Sequence, residues 1–414
     1  MSYAEARKKY QTLGIDTDRA IEKAKEISIS VHAWTLDDVA GFEKTDAALS
    51  GSGVMPVGNF PGKAKNIDQF RKDLDMVLKL VPGKKSVGLQ TNEGDYKGKL
   101  KEKTDIDRSH FDSWIDWAKE REVGLDINPA IYSHPMASSG YTLASRDKNV
   151  REYWIEYVKK IREIADYTGK SLKKPSISNL WIIDGSKDIT PLRFEHRTLL
   201  EDSLDKIYAK KYKIENVVDS VECKLFGIGS EFYNTGSLEF YLLYAKKQNI
   251  GITLDTGHFH PTEQVSDKIS SIINFLPAVV LHLSRGIRWD SDHVVILSDE
   301  LLAIMLEIKR ADCFSKIYIG TDYFDSSINR VGALAAGARA VSKGLLFALL
   351  EPTGLLKEAE DSGDNFRRLA LLEDIKVLPF GDVWEEYCSR WGTPGDFKWI
   401  DAAGKYFRDE ASKR

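Results

Sequence analysis

Between Val221 and Asp325, four short apolar runs each end in a side chain that binds hard or borderline metal ions: Glu222, Asp255 with His258, His282, and Asp322. Asp290 and Asp292 sit in the loop expected after the third run, two apart, so that in an extended chain they face the same way. Four of the chain's eight histidines (His258, His260, His282, His293) fall in this region, a density that makes ligation the first chemistry to consider. Glu222, Asp255, His282 and Asp322 offer three oxygen donors and one imidazole to one ion. His258, Asp290 and Asp292 suit a second ion beside it. Oxygen-rich sets with one imidazole suit Mn²⁺, Mg²⁺, Co²⁺ or Zn²⁺ and leave positions open for water or substrate. Two neighbouring ions would clamp vicinal oxygens of a substrate. A lone His or Asp at a strand end is more often structural, so His260 and His293 are assigned to supporting roles.

These groups need a scaffold that brings successive strand ends together. The sequence supplies eight β-then-α units. Strands are expected at Ile27–Trp34, Ser86–Asn92, Gly124–Ala130, Ser178–Asp184, Ser220–Phe226, Ile250–Thr256, Ala278–Ser284 and Ile317–Asp322. The helices that follow them are expected at Ile67–Leu80, Arg108–Glu122, Asn149–Tyr167, Pro191–Lys211, Ser237–Lys247, Thr262–Phe275, Asp299–Arg310 and Asn329–Leu350. Such alternation implies a parallel sheet, and eight units fit a closed (β/α)8 barrel. Two helices, Tyr3–Leu13 and Asp18–Ala24, precede it. Residues 1–350 are thus the barrel with its N-terminal helices, and 351–414 a helical extension expected to make subunit contacts. The glycine-rich stretch Gly51–Lys63 is expected to be a loop, and it lacks the spacing of a phosphate-binding loop.

Side chains alternate along a strand, so each strand can be phased. The inward set is His32 and Trp34, Gln90 and Asn92, Asp126 and Asn128, Asn179 and Trp181, Glu222 and Lys224, Asp255, His282 and Ser284, and Asp322. Branched aliphatics fill an ordinary barrel. Here the carboxyl ends are acidic, and burying several carboxylates together is costly without cations. Lys224 is one inward cation, too few for the acids present; it serves either as counter-ion to Glu222 or as a substrate contact. Trp34, Trp181 and Phe324 read either as barrel-top packing or as pocket walls of the kind that stack on sugar faces, with Trp181, inward beside Asn179, favoured for the pocket, whereas Trp114 and Trp117 read as packing of an outer helix.

The bulk composition narrows the function classes. A net charge of -4 without a basic stripe argues against nucleic acid. No apolar run approaches the ~20 residues a membrane span needs, and the charged N-terminal segment does not read as a secretory signal. Three widely spaced cysteines point to a reducing cytoplasm.

The blocks Gly257–Ser270, Leu281–Val295, Val221–Glu231 and Asp322–Arg330 resemble the L-rhamnose isomerases, and the resemblance runs over nearly the whole chain. It implies a barrel similar to that of xylose isomerase, assembled as a homotetramer, with two divalent cations per subunit, commonly Mn²⁺. It further implies that Glu222, Asp255, His282 and Asp322 hold one ion and His258, Asp290 and Asp292 the other. Asp290, Lys224 and Asp322 would be catalytic, with Trp34, Gln90, Trp181, Lys224 and Phe324 around the sugar. The implied reaction is aldose–ketose interconversion of L-rhamnose and L-rhamnulose by a metal-assisted hydride shift between C2 and C1. The sequence departs from the family pattern at Thr35 in the first strand's end and at Gln90-Thr91, where Leu-Gln-Thr stands for Leu-His-Ala. These departures keep another aldose open as the substrate. A metal-dependent hydrolase and a non-catalytic sugar binder are the rival readings.

Overall fold

Eight parallel strands form the centre of the computed structural model, which describes residues 2–42, 56–99 and 101–414. They are β1 (Ile29–His32), β2 (Lys85–Gln90), β3 (Gly124–Asn128), β4 (Ser176–Trp181), β5 (Val217–Glu222), β6 (Gly251–Asp255), β7 (Val279–Leu283) and β8 (Ile317–Thr321). Their spatial order is β3-β2-β1-β8-β7-β6-β5-β4, which is chain order wrapped around a circle. Each strand leads through a helix back to the next, the connection that parallel pairing requires. Several elements are shorter than expected. Ile27 ends the preceding helix and Ala33 opens a turn, so β1 keeps only the middle of its alternating run. The expected Arg108–Glu122 helix begins as a 3-10 turn, Arg108–Phe111, and continues as Asp112–Glu120. Of the expected Gly51–Lys63 loop, Gly51–Met55 lie outside the described residues, and 56–63 form neither helix nor strand.

The circle closes between β3 and β4 by side chains in place of a backbone ladder. Asp126 Oδ1 accepts the Ile177 N–H at 2.8 Å and Asn128 Oδ1 accepts the Asn179 N–H at 2.9 Å. These two inward polar residues therefore complete the barrel wall. Asp126 also accepts from Ser30 Oγ at 2.5 Å. Burial pushes its carboxyl from 3.8 to about 6. A folded-state value above the unfolded one means that stability is largest at low pH and falls as pH rises through about 6. Asn keeps the Ile177 bond at its oxygen and, without the charge, donates from its NH2 to Ser30 Oγ, which turns to accept. Asp126→Asn is expected to match the wild-type stability at about pH 3 and to exceed it at pH 8, by on the order of 3 kcal/mol. Melting curves across that range check this.

Inside the barrel, three layers rise toward the carboxyl ends. The lowest is apolar: Ile177, Val218, Val280 and Tyr318 with Ala278. Above it Thr253 Oγ1 donates to Asn179 Oδ1 at 2.7 Å and Ser220 Oγ donates to the same oxygen at 3.2 Å. Asn179 then donates from Nδ2 to Glu222 in the top layer. The polar middle layer thus orients the acidic one. Outward residues such as Val31, Leu89, Ile127, Val221, Leu254 and Leu281 pack with the helices in the main core.

The helix Arg330–Leu349 is long and apolar enough to cross a membrane by composition, contrary to the expectation from the sequence. It is mostly buried inside the fold, where Arg339 donates to the Leu80 carbonyl and stacks near Trp384 and Trp399. The tail helix Phe380–Arg390 packs Val383, Trp384 and Tyr387 against Tyr10 and Ile21 of the N-terminal helices. Near the C-terminus, Arg414 pairs with buried Asp73 at 2.6 Å. By contrast Phe366, Leu369 and Val377 of the tail are exposed.

Candidate active site

Glu222, Asp255 and His282 sit at the upper ends of β5, β6 and β7, and Asp322 follows β8 directly. One ligand atom from each lies within 4.8 Å of the others. His282 Nδ1 is 2.9 Å from Asp322 Oδ2, 3.3 Å from Glu222 Oε1 and 4.0 Å from Asp255 Oδ2. Trp34 Nε1 donates to Asp322 Oδ1 at 3.1 Å and so fixes that carboxylate.

A second set, Asp255, His258 and Asp290, meets the same 4.8 Å criterion, so Asp255 belongs to both. Past β6 the chain turns at Gly257, whose N–H donates to Asp255 Oδ1 at 2.6 Å. A side chain at Gly257 would bring its Cβ to 2.4 Å from Asp290 Oδ1, so glycine is what lets the two carboxylates approach. His258 Nδ1 lies 2.9 Å from the Cys223 carbonyl. Donation there leaves Nε2, which faces Asp290 Oδ2 at 3.3 Å, as the ligating nitrogen.

Asp290 and Asp292 do not lie in a plain loop. Arg285–Ile287 and Trp289–His293 form an antiparallel hairpin above β7, turning at Arg288 with φ 68°. Asp290 is buried within it. Asp292, at φ 47°, lines the same cavity, but its carboxylate belongs to neither compact set. Lys224, just past β5, pairs with Asp290 at 2.8 Å, and this pair replaces the one with Glu222 considered from the sequence. Its Nζ also lies 5.0 Å above the Trp181 ring, and Trp181 stacks on His258 at 6.4 Å. Phe324 and Trp34 complete the cavity wall. Exposed His260 bonds Thr262, and His293 bonds Ser291; neither joins a ligand set.

Sequence reasoning missed two neighbours. His32 was phased inward, yet its closeness to His282 and Asp322 was not read. Its ring lies where side chains at Gly88 and Gly320 would stand, so two flanking glycines make its slot. Tyr132 lies in the loop past β3, beyond any strand phase. It donates its phenolic hydrogen to Gln90 Oε1 and also lines the cavity.

The electrostatics of the cavity reflect its crowding. Burial and neighbouring carboxylates push Asp255 up to about 8, and burial together with Asp290 pushes Asp292 well above the carboxylate range. Burial opposes charge on His258, but Asp255 and Asp290 overcome it and raise the imidazole to about 10. Burial likewise opposes charge on His282, which Glu222 and Asp322 raise well above its ordinary value. Against its burial, Asp290 is held low by His258 and Lys224. Protons are thus drawn into the cluster, and a divalent cation competes for the same atoms. Three buried atoms here, Glu222 Oε1, His282 Nδ1 and Asp290 Oδ1, have no hydrogen-bond partner. A buried carboxylate and imidazole facing each other unpaired are what a cation would satisfy, so the donors fit the two ions expected from the sequence.

The family model for L-rhamnose isomerase (RhaA) matches residues 1–414. The L-rhamnose isomerase of Rhodopirellula baltica is 46% identical over 409 residues, covering 99% of this chain and 95% of its own. That of Enterobacter sp. (strain 638) is 45% identical, covering 99% and 97%. Among solved structures, an L-ribulose 3-epimerase is similar at a TM-score of 0.47 and 14% identity, over 80% of this chain and 96% of its own.

Proposed function

The chain belongs to the L-rhamnose isomerase family, and from that premise we propose that its barrel mouth would hold two divalent cations and that the reaction moves a hydride between C2 and C1 of L-rhamnose. The enzyme is an aldose–ketose isomerase, producing L-rhamnulose. The observation that carries the two-cation reading is the pair of buried ligand sets joined at Asp255. Glu222, Asp255, His282 and Asp322 would hold the first ion. His258 and Asp290 would hold the second, with Asp292 as the further ligand and Asp255 in reach of both. The mixed oxygen and imidazole donors are compatible with Mn²⁺, Co²⁺, Zn²⁺ or Mg²⁺, and the resemblance to the family favours Mn²⁺. When bound, the ions neutralise the buried carboxylates and draw electron density from O1 and O2.

The protein groups then divide the proton work. Asp290, held ionised by His258 and Lys224 despite its burial, accepts a hydrogen bond from the water that takes up the proton leaving O2 and so orients it. The C2–H bond breaks as C1–H forms, so C2 becomes the carbonyl and C1 the alcohol. Lys224, kept protonated against its burial by Asp290 and Asp292, donates to O1 and steadies its developing charge. One proton leaves O2 and one arrives at O1, so no external oxidant or reductant is needed. Asp322, fixed by Trp34, keeps its acceptor geometry, and Trp34, Trp181 and Phe324 exclude water from the migrating hydrogen.

A hydride that never leaves the substrate does not exchange with solvent. L-Rhamnose deuterated at C2, turned over in ordinary water, is expected to yield L-rhamnulose with the label at C1. Release of the deuterium to water, seen by NMR, would replace the hydride shift with an enediol and a protein base.

The reading extends to assembly and location. A homotetramer is supported by the large apolar side chains left exposed, among them Phe194, Leu243, Phe366 and Leu369. The extension 351–414 supplies two of these and is assigned to subunit contacts. A cytoplasmic location is supported by three free, buried cysteines.

A further inference from the structure

The strand order sets β2 and β3 across the barrel from β6 and β7. The acids and imidazoles therefore crowd one arc of the mouth. Gln90 at the end of β2, with Asn128, Pro129 and Tyr132 at and beyond the end of β3, lines the opposite arc without a formal charge. A sugar whose O1 and O2 lie at the acidic arc extends its remaining carbons toward this neutral wall.

That wall is rigidly built. Tyr132 donates its phenolic hydrogen to Gln90 Oε1. The Gln90 N–H is fixed by Glu93 Oε2 at 2.8 Å. The loops behind the two side chains are tied as well. Thr91 Oγ1 bonds the Tyr157 hydroxyl, and the Ala130 N–H reaches Thr91 Oγ1 at 3.3 Å and Tyr157 Oη at 3.1 Å. Tyr132 packs edge-on to Trp181 with ring centroids 6.1 Å apart.

An amide whose oxygen is engaged keeps two N–H donors for a ligand, and a phenol that donates keeps an acceptor lone pair. An amide neither ionises nor takes up a proton near neutral pH, so Gln90 serves recognition and not acid–base chemistry. We propose that Gln90 and Tyr132 act as one hydrogen-bonding unit that selects the sugar by the configuration of its C3 and C4 hydroxyls. This rests on the two-cation reading of the opposite arc. A site built to pair a hydroxyl rejects the epimer that leaves its buried polar groups unpaired.

The test compares Gln90→Met, Tyr132→Phe and the double variant with the wild type, all loaded with Mn²⁺. Substrates are L-rhamnose, its C4 epimer 6-deoxy-L-talose and its C3 epimer 6-deoxy-L-altrose. Each single variant is expected to lose roughly 10²-fold in kcat/KM on L-rhamnose, mostly through KM, with preference over at least one epimer falling at least about tenfold. Because the two act as a unit, the double variant should be little worse than Gln90→Met alone. Mn²⁺ titration calorimetry should give the wild-type stoichiometry in every variant; a departure from two ions in the wild type itself would instead indict the two-cation reading. If Gln90→Met fails to fold, Tyr132→Phe, which removes a single oxygen, decides the question. Wild-type epimer ratios in the folded variants would overturn the proposal.

Discussion

Asp290→Asn is expected to lower turnover of L-rhamnose by roughly 10³-fold or more while leaving the fold intact. The carboxylate touches both cationic partners of the site, Lys224 at 2.8 Å and His258 Nε2 at 3.3 Å. An amide of the same shape fills the space beside Gly257, so packing and the hairpin survive. It supplies no anionic acceptor to orient the water that takes the O2 proton, and it leaves Asp292 as the remaining carboxylate that raises Lys224. The measurement is kcat at saturating L-rhamnose and Mn²⁺, beside a circular dichroism melt. Wild-type rates in fully metallated Asp290→Asn would remove the residue from the mechanism.

Asp255→Asn is expected to be more damaging still, with an opposite sign in the metal-free protein. Asp255 is common to both ligand sets, so its loss weakens both ions, and activity is expected to fall by roughly 10⁴-fold with bound metal below two per chain. In chelator the balance reverses. Burial raises the Asp255 carboxyl from 3.8 to about 8, so the ionised form costs folding energy. With the folded value above the unfolded one, wild-type stability falls as pH rises from about 4 through 8. At pH 9 the metal-free variant should therefore be the more stable protein. With excess Mn²⁺ the wild type should melt higher, because ligand binding to the native state alone stabilises it. Four melting curves, two proteins with and without metal, check the crossing. Parallel curves would mean that Asp255 is no ligand.

How far the sequence carried this reading depends on whether a signal was local. The barrel strands were legible because inward polar and outward apolar residues alternate, and the acidic ends stood out because metal-binding side chains close four runs. The joint between β3 and β4 was not legible. Asp126 and Asn128 carry the same inward phase as site residues, and only the fold reveals that they bond backbone amides. The hairpin at Arg285–His293 was read as a loop because Ile287 and Trp289 are exposed and give no buried stripe. Asp290 then reaches the cluster and Asp292 stops at its edge, a distinction that spacing of two in an extended chain cannot draw. Tyr132 escaped because it follows a strand by four residues, where no periodicity applies. The helix Arg330–Leu349 was underrated as an apolar segment because Arg339 and Lys343 interrupt it, although Arg339 is buried and its side chain bonds a backbone carbonyl.

Each of these features serves one physical arrangement, a buried acidic ring that needs cations to be stable and reactive. The direct test is to strip the protein with chelator and titrate Mn²⁺ back, following L-rhamnulose formation and bound metal together. The expected result is no turnover without metal, two ions bound per chain at saturation, and full activity only as the second site fills. Undiminished turnover in the chelator-treated, metal-free protein would contradict the account.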